Sequence, residues 1–336
     1  MGNPPIIRLL NYALFLTAST MDSVRSSTSE VAHEFLPYFR AYKDGRVERY
    51  FGTTDIVPPS LNSHNGISTK DVQIFQVEGL TARVYMPSTI SQGQKLPVMV
   101  YYHGGGFFMG SPFCATYHNH VASLVAEACI VAVSVDYRLA PEHPVPVGYE
   151  DSWVALQWVI SHFNGDGPEA WLREYADFQR VFLVGDSIGG NIVHNMAARA
   201  GVEGLAAGVR IAGACLVQPY FAMKESAGTG VEDRSWLFSC PTTSGFDDPR
   251  VNPAEDSRVS RLGCSKVLIF LAENDDIRER GLLYYETLKK SGWEGEIEIV
   301  ETEGEKHVFH LFNPNCEKAL ALLKRLASFI NQDKAT

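Results

Sequence analysis

Hydrophobic and polar positions alternate in two different ways along this chain. The segments DVQIFQV (71–77) and TARVYMP (81–87) swap apolar and polar residues with the period of two expected of an antiparallel pair with one exposed face. Further on the pattern changes: VMVYY (98–102), IVAVSV (130–135), VFLV (181–184), IAGACLV (211–217) and VLIFLA (267–272) are almost wholly apolar, and EIEIVE (296–301) is a more polar last run. Continuous apolar strands suit a parallel sheet covered on both faces, where neither side of the strand meets water. Between them, residues 115–128, 149–162, 188–200, 280–291 and 316–330 read as helices, the last with Leu320, Leu322, Leu323, Leu326 and Ile330 in a stripe at helical spacing. The alternation predicts one doubly wound α/β domain over about residues 21–333, with helices on both faces of the sheet. Two segments stand outside it: 27–68, with EFLPYFRAYKDGRVERYF and a proline-rich VPPSLN, and 219–263, rich in Gly, Asp, Ser and aromatic residues. Both are expected to cover the carboxyl ends of the strands, where open α/β sheets bind ligands.

Composition narrows the partners. Of the 336 residues, 45% are apolar and 20% charged, enough for a sizeable core, and 29 basic against 39 acidic residues give a net charge of −10, which argues against nucleic acid as a partner. The six cysteines (Cys114, Cys129, Cys215, Cys240, Cys264 and Cys316) are dispersed, with no C-x-x-C pair and no metal-ligand spacing with histidine. They read as free thiols in a reducing compartment, and no metal, nucleotide or other cofactor is signalled. Residues 1–20 hold an apolar stretch that is too short, and too interrupted by Asn11, to span a bilayer. They read as an extension without fixed structure or as a poor targeting segment, with the compact protein starting near Met21. The sequence does not set the oligomeric state.

One short stretch carries the chemistry. LVGDSIGGNIVH passes from an apolar strand to a helix through Gly185-Asp186-Ser187-Ile188-Gly189, the Gly-x-Ser-x-Gly pattern of a nucleophile elbow. The turn is so tight that a Cβ at either flanking position would meet a neighbouring element, and Ser187 is left exposed beside a helix N-terminus that favours developing negative charge. Asp186 should point away from the hydroxyl in a structural or electrostatic role. A serine needs a base to take its proton and a third group to orient that base. On this kind of fold they follow in the order Ser, acid, His, each just after a later strand. Asp275 follows the 267–272 run, with Asp276 and Glu273 as nearby alternatives, and His307 follows the 296–301 run, with His310 three residues on. An acyl-transfer site also needs amide donors for the oxyanion. His103-Gly104-Gly105-Gly106 follows the 98–102 strand, so Gly104, Gly105 and the amide of Ile188 are the expected donors, with His103 structural. Phe107, Phe108, Tyr220 and Phe221, in loops at strand ends, are candidates for an apolar substrate pocket or, equally, for core filling.

Together HGGGF (103–107), DYRLAPEHPVP (136–146), GDSIGGN (185–191), DDIRERG (275–281) and HVFH (307–310) resemble the plant carboxylesterases of the hormone-sensitive-lipase group of α/β-hydrolases, over about residues 27–330. The resemblance implies a mostly parallel eight-stranded sheet with an N-terminal helical cap, residence in the cytosol, and hydrolysis of carboxylic esters of small molecules by Ser187, Asp275 and His307 through an acyl-enzyme. No partner beyond the small-molecule ester is implied, nor any stable membrane insertion. Ile188 stands where the group often has Ala, and residues 1–20 precede the group's usual start. The same resemblance reaches 2-hydroxyisoflavanone dehydratases, lyases that keep the constellation, and gibberellin receptors, which bind without turnover after losing the histidine; His307 argues against the receptor class.

Overall fold

The apolar runs line up side by side in one sheet. The computed structural model describes residues 30–61, 66–74, 76–91, 93–223 and 230–332, so the expectations for residues 1–20 and for a start at Met21 lie outside the described residues. In chain order the elements are β1 (Val31–Phe35), β2 (Phe39–Tyr42), β3 (Val47–Arg49), β4 (Ile67–Gln73), β5 (Thr81–Pro87), β6 (Leu96–Tyr102), α1 (Ala115–Ala128), β7 (Val131–Asp136), α2 (Val147–Ile160) and α3 (Ala170–Tyr175). They continue through β8 (Ala176–Asp186), α4 (Ile188–Glu203), β9 (Ile211–Val217), α5 (Val231–Ser239), β10 (Lys266–Ala272), α6 (Arg278–Lys290), β11 (Glu296–Thr302), α7 (Phe309–Phe312) and α8 (Glu317–Asn331). Eight strands form the main sheet in the order β11-β10-β9-β8-β6-β7-β5-β4. Six run parallel, and β5 pairs antiparallel with both β7 and β4.

Alternation within the apolar strands sorts side chains to two cores. Val98, Val100, Val181, Leu183, Ile269 and Leu271 pack on the face covered by α2, α4 and α6. Their neighbours Met99, Tyr101, Phe182, Val184, Leu268 and Phe270 pack on the face covered by α1 and α8. Both faces are dry, so every second residue must be apolar in either direction, which explains the unbroken runs. β4 begins four residues before the alternating segment at 71 and ends at Gln73. The apolar rhythm continues into a turn, where Ile74 and Leu80 are buried and joined by the Ile74 N–H to Leu80 carbonyl bond.

The resemblance's N-terminal helical cap is not what the described residues form. Between 30 and 61 none is helical, and β1, β2 and β3 make a three-stranded antiparallel sheet. The reason is local: Phe35 and Phe39 pair directly across a tight turn at 36–38, and Asp44-Gly45, with Gly45 at φ 86°, closes the next hairpin. The buried side of this small sheet, Phe35, Phe39 and Ala41, packs on Phe108 from the loop after β6 and on Phe238 of α5. Arg49 fastens it, donating to the carbonyls of Phe108 (2.7 Å) and Ala140 (2.8 Å) and pairing with Glu142. All six cysteines are free thiols.

Burial leaves a pH signature. Removal from water holds the imidazoles of His103 and His120 down to about 4, and that of His310 well below its usual range, so all three fold as neutral rings. Unfolding returns them to ordinary basicity, so the unfolded chain takes up more protons below about pH 6.5 and stability falls as pH drops from there toward 4. The carboxyls of Asp136, pushed up to about 6 by burial, and of Asp186, raised by the same cause, oppose this over part of the same window but are fewer than the buried imidazoles. Midpoints of urea unfolding recorded from pH 7.5 to 4.5 should therefore decrease steadily; a midpoint constant across that range would contradict neutral burial of these rings.

Candidate active site

The turn between β8 and α4 has no room for side chains at its glycines. A Cβ on Gly185 would come within 2.4 Å of the Gly189 carbonyl oxygen, and one on Gly189 within 2.0 Å of the Tyr102 carbonyl oxygen. Ser187, between them, is forced to φ 53° and ψ −120°, a conformation that non-glycine residues rarely adopt. Its N–H donates to the Val217 carbonyl (2.9 Å), which locks the turn onto the end of β9.

Two other strand ends supply its neighbours. His307, in the loop after β11, places Nε2 3.0 Å from Ser187 Oγ and Nδ1 2.8 Å from Asp275 Oδ2. Asp275 follows β10, its side chain is 2% exposed, and its other carboxylate oxygen accepts the Ile277 N–H at 3.0 Å. A buried carboxylate accepts from Nδ1–H, which leaves the Nε2 lone pair facing the serine hydroxyl. Asp276 and Glu273 are exposed, and Glu273 accepts the Gly304 N–H instead. His310 is buried and packs edge-on against His120 at 4.9 Å, away from Ser187.

The glycine loop departs from expectation at one position. Gly104 does not present its amide to the site: that N–H donates to the Tyr117 hydroxyl (2.9 Å) and to Asp186 Oδ1 (3.2 Å). Asp186 is fully buried, burial pushes its carboxyl up, and it collects donors from Tyr101 (2.7 Å), Tyr117 (3.0 Å) and Gly104. A buried carboxyl of this kind must be satisfied by hydrogen bonds, and it takes the Gly104 amide for that purpose. Gly105 and Gly106, at φ 110° and 62°, line the cavity in its place, together with Ile188. Among the described residues no protein acceptor takes the N–H of Gly105 or Gly106. His103 is buried, stacks on Tyr137 with ring centroids 4.4 Å apart, and holds the Gly104 carbonyl at 2.7 Å from Nδ1.

Ser187 and His307 meet at a cavity of about 270 Å³. Phe107, Phe108 and Tyr220 line it and also pack into the neighbouring cores. Phe221 does not line it; it stacks on Tyr284 at 4.5 Å and fills the core. Phe35, Tyr38 and Phe51 of the small N-terminal sheet and its following loop, Trp236 of α5, and Leu311 and Phe312 of α7 complete the wall. Sequence reading missed these six because they come from segments whose path no period fixes. Among the described residues no lysine or arginine lines the cavity, and no cluster of His, Cys, Asp or Glu could hold a metal ion.

Residues 99–311 match the model of the alpha/beta hydrolase fold family. This chain is an α/β-hydrolase. The hydrolase is 42% identical to "Probable carboxylesterase 2" of Arabidopsis thaliana, over 93% of its own length and 100% of that protein. It is 40% identical to the "2-hydroxyisoflavanone dehydratase" of Glycyrrhiza echinata, covering 91% of this chain and 98% of that one. Among solved structures, a thermophilic carboxylesterase cloned from a metagenomic library superposes with a TM-score of 0.67 at 28% identity, over 80% of the hydrolase and 90% of that chain. No described helix of the hydrolase is long and apolar enough to cross a membrane.

Proposed function

We propose that this α/β-hydrolase is a carboxylesterase in which Ser187, His307 and Asp275 act as a catalytic triad on uncharged small-molecule esters. One observation carries the reading: Ser187 Oγ stands 3.0 Å from His307 Nε2 at the wall of an apolar cavity. His307 takes the hydroxyl proton as Oγ attacks the ester carbonyl, and Asp275 holds the imidazole in the tautomer that can accept it. The amides of Gly105, Gly106 and Ile188 face the tetrahedral oxyanion, and each such donor contributes about 3 kcal/mol to the transition state. His307 then gives its proton to the departing alcohol, leaving an acyl group on Ser187, and a water deprotonated by the same imidazole releases the acid. The segments at 27–68 and 219–263 serve as a cap that shapes the cavity. A reducing compartment suits its six unpaired thiols.

The lining supports the substrate class. Among the described residues the walls are aromatic and hold no cation, which favours neutral acyl and alcohol groups and offers a carboxylate no ion-pair partner there. Hydrolysis of p-nitrophenyl butyrate is expected to exceed that of the p-nitrophenyl ester of succinate in kcat/KM by about tenfold or more, one uncompensated polar burial being worth about 1–3 kcal/mol. Equal rates would contradict the neutral pocket. A lyase reading is favoured by one finding, the dehydratase names of two relatives at 40% and 38% identity. Loss of water from a 2-hydroxyisoflavanone, with activated esters left intact, would move the assignment there.

A further inference from the structure

Gln218 adjoins the backbone of both Ser187 and His307: its neighbour Val217 accepts the Ser187 N–H, and its side chain bonds the residue after His307. It follows β9, is 1% exposed, and holds φ 47°, which a residue with a side chain rarely adopts. Its backbone position is fixed from three sides. The Val217 carbonyl accepts the Ser187 N–H (2.9 Å), the Tyr220 N–H donates to the Ser187 carbonyl (2.9 Å), and the Gln218 N–H donates to the Phe270 carbonyl of β10 (2.8 Å). The segment is thus bolted to the nucleophile's own peptide groups. Its side chain reaches the other way: Gln218 Oε1 accepts the N–H of Val308, the residue next to His307.

Val308 needs that acceptor. It is β-branched and lies at φ 46°, ψ 33°, in the left-handed region where such residues are strained by about 1–2 kcal/mol. Nothing in its own turn accepts its N–H, since the neighbouring backbone bonds run from Phe309 N–H to the Lys306 carbonyl and from Leu311 N–H to the Val308 carbonyl. A strained residue persists only where its surroundings hold it; the Val308 side chain packs against the core, and its N–H is held by one amide oxygen anchored to the serine turn. We propose that Gln218 is a positioning residue for His307, tying the histidine loop to the serine elbow so that the Nε2 to Oγ distance depends on this side chain as well as on Asp275.

The proposal rests on the Ser187–His307 reading of the site, and the test separates the two. Gln218→Met keeps the volume and removes the acceptor. Its kcat on p-nitrophenyl butyrate, normalised to sites titrated with an organophosphonate, is expected to fall about 10–100-fold with KM within about threefold, the loss that follows a misplacement near 1 Å. A variant that merely folds less well would lose titratable sites instead, with kcat per site unchanged. That result, or a normalised kcat within about twofold of the parent, would overturn the positioning role. Should the Met variant fail to fold, Gln218→Asn, whose amide is one methylene too short to reach Val308, is expected to show the same split between kcat and KM, and parental kcat per site in that variant would overturn the role as well. Failure of the site reading itself would show differently, as undiminished turnover in Ser187→Ala alongside the parent.

Discussion

Ser187→Ala is expected to lower kcat/KM on p-nitrophenyl butyrate by about 10⁴–10⁶-fold, the range found when a serine nucleophile is removed from a triad. The substitution takes away one oxygen from a turn whose geometry is imposed by Gly185 and Gly189, and alanine bears the same φ of 53° no worse than serine does. The melting temperature should therefore stay within a few degrees of the parent's, and what remains of the rate reports the oxyanion donors and the cavity alone. Turnover within about tenfold of the parent would mean that His307 activates water directly and that no acyl-enzyme forms.

The second large effect separates two adjacent carboxylates. Asp275→Asn is expected to reduce kcat by about 10⁴-fold at neutral pH. An asparagine can turn its NH₂ group to His307 Nδ1, which would then have to be the acceptor, leaving an N–H where Nε2 must take the serine proton. Asp276→Asn, at an exposed position one residue away, should leave kcat unchanged, because its charge is screened by solvent and touches no reacting group. Equal losses in the two variants, or a larger loss at 276, would show that the acid is misassigned.

How much of this was legible in the sequence depends on how local each determinant is. The parallel strands declared themselves because both faces are dry, and the elbow because its steric demand falls on residues within two positions of Ser187. Asp275 was the first choice in the sequence, but Asp276 and Glu273 stayed open beside it, since what separates them is a turn in which the Asp275 N–H donates to the Ala272 carbonyl and its carboxylate accepts from Ile277. Gly104 was misread as an oxyanion donor because the direction of its amide is set by Asp186, 82 residues further along. The small N-terminal sheet was hidden for another reason. Phe35 and Phe39, four apart, are spaced as a helix would space them, yet they face each other across a hairpin turn. The cavity wall was least legible of all, since Trp236 and Phe312 reach it from segments with no period, while Phe221, beside Tyr220 in sequence, turns into the core.

The central claim is that His307 makes the Ser187 hydroxyl a nucleophile. Treatment of the parent with diethyl p-nitrophenyl phosphate, followed by peptide mass mapping, tests it most directly. The account predicts one diethylphosphoryl group per chain, placed on Ser187, with activity lost in proportion to labelling and no label in His307→Ala. An unlabelled Ser187 in fully active protein, or labelling that is indifferent to His307, would contradict it.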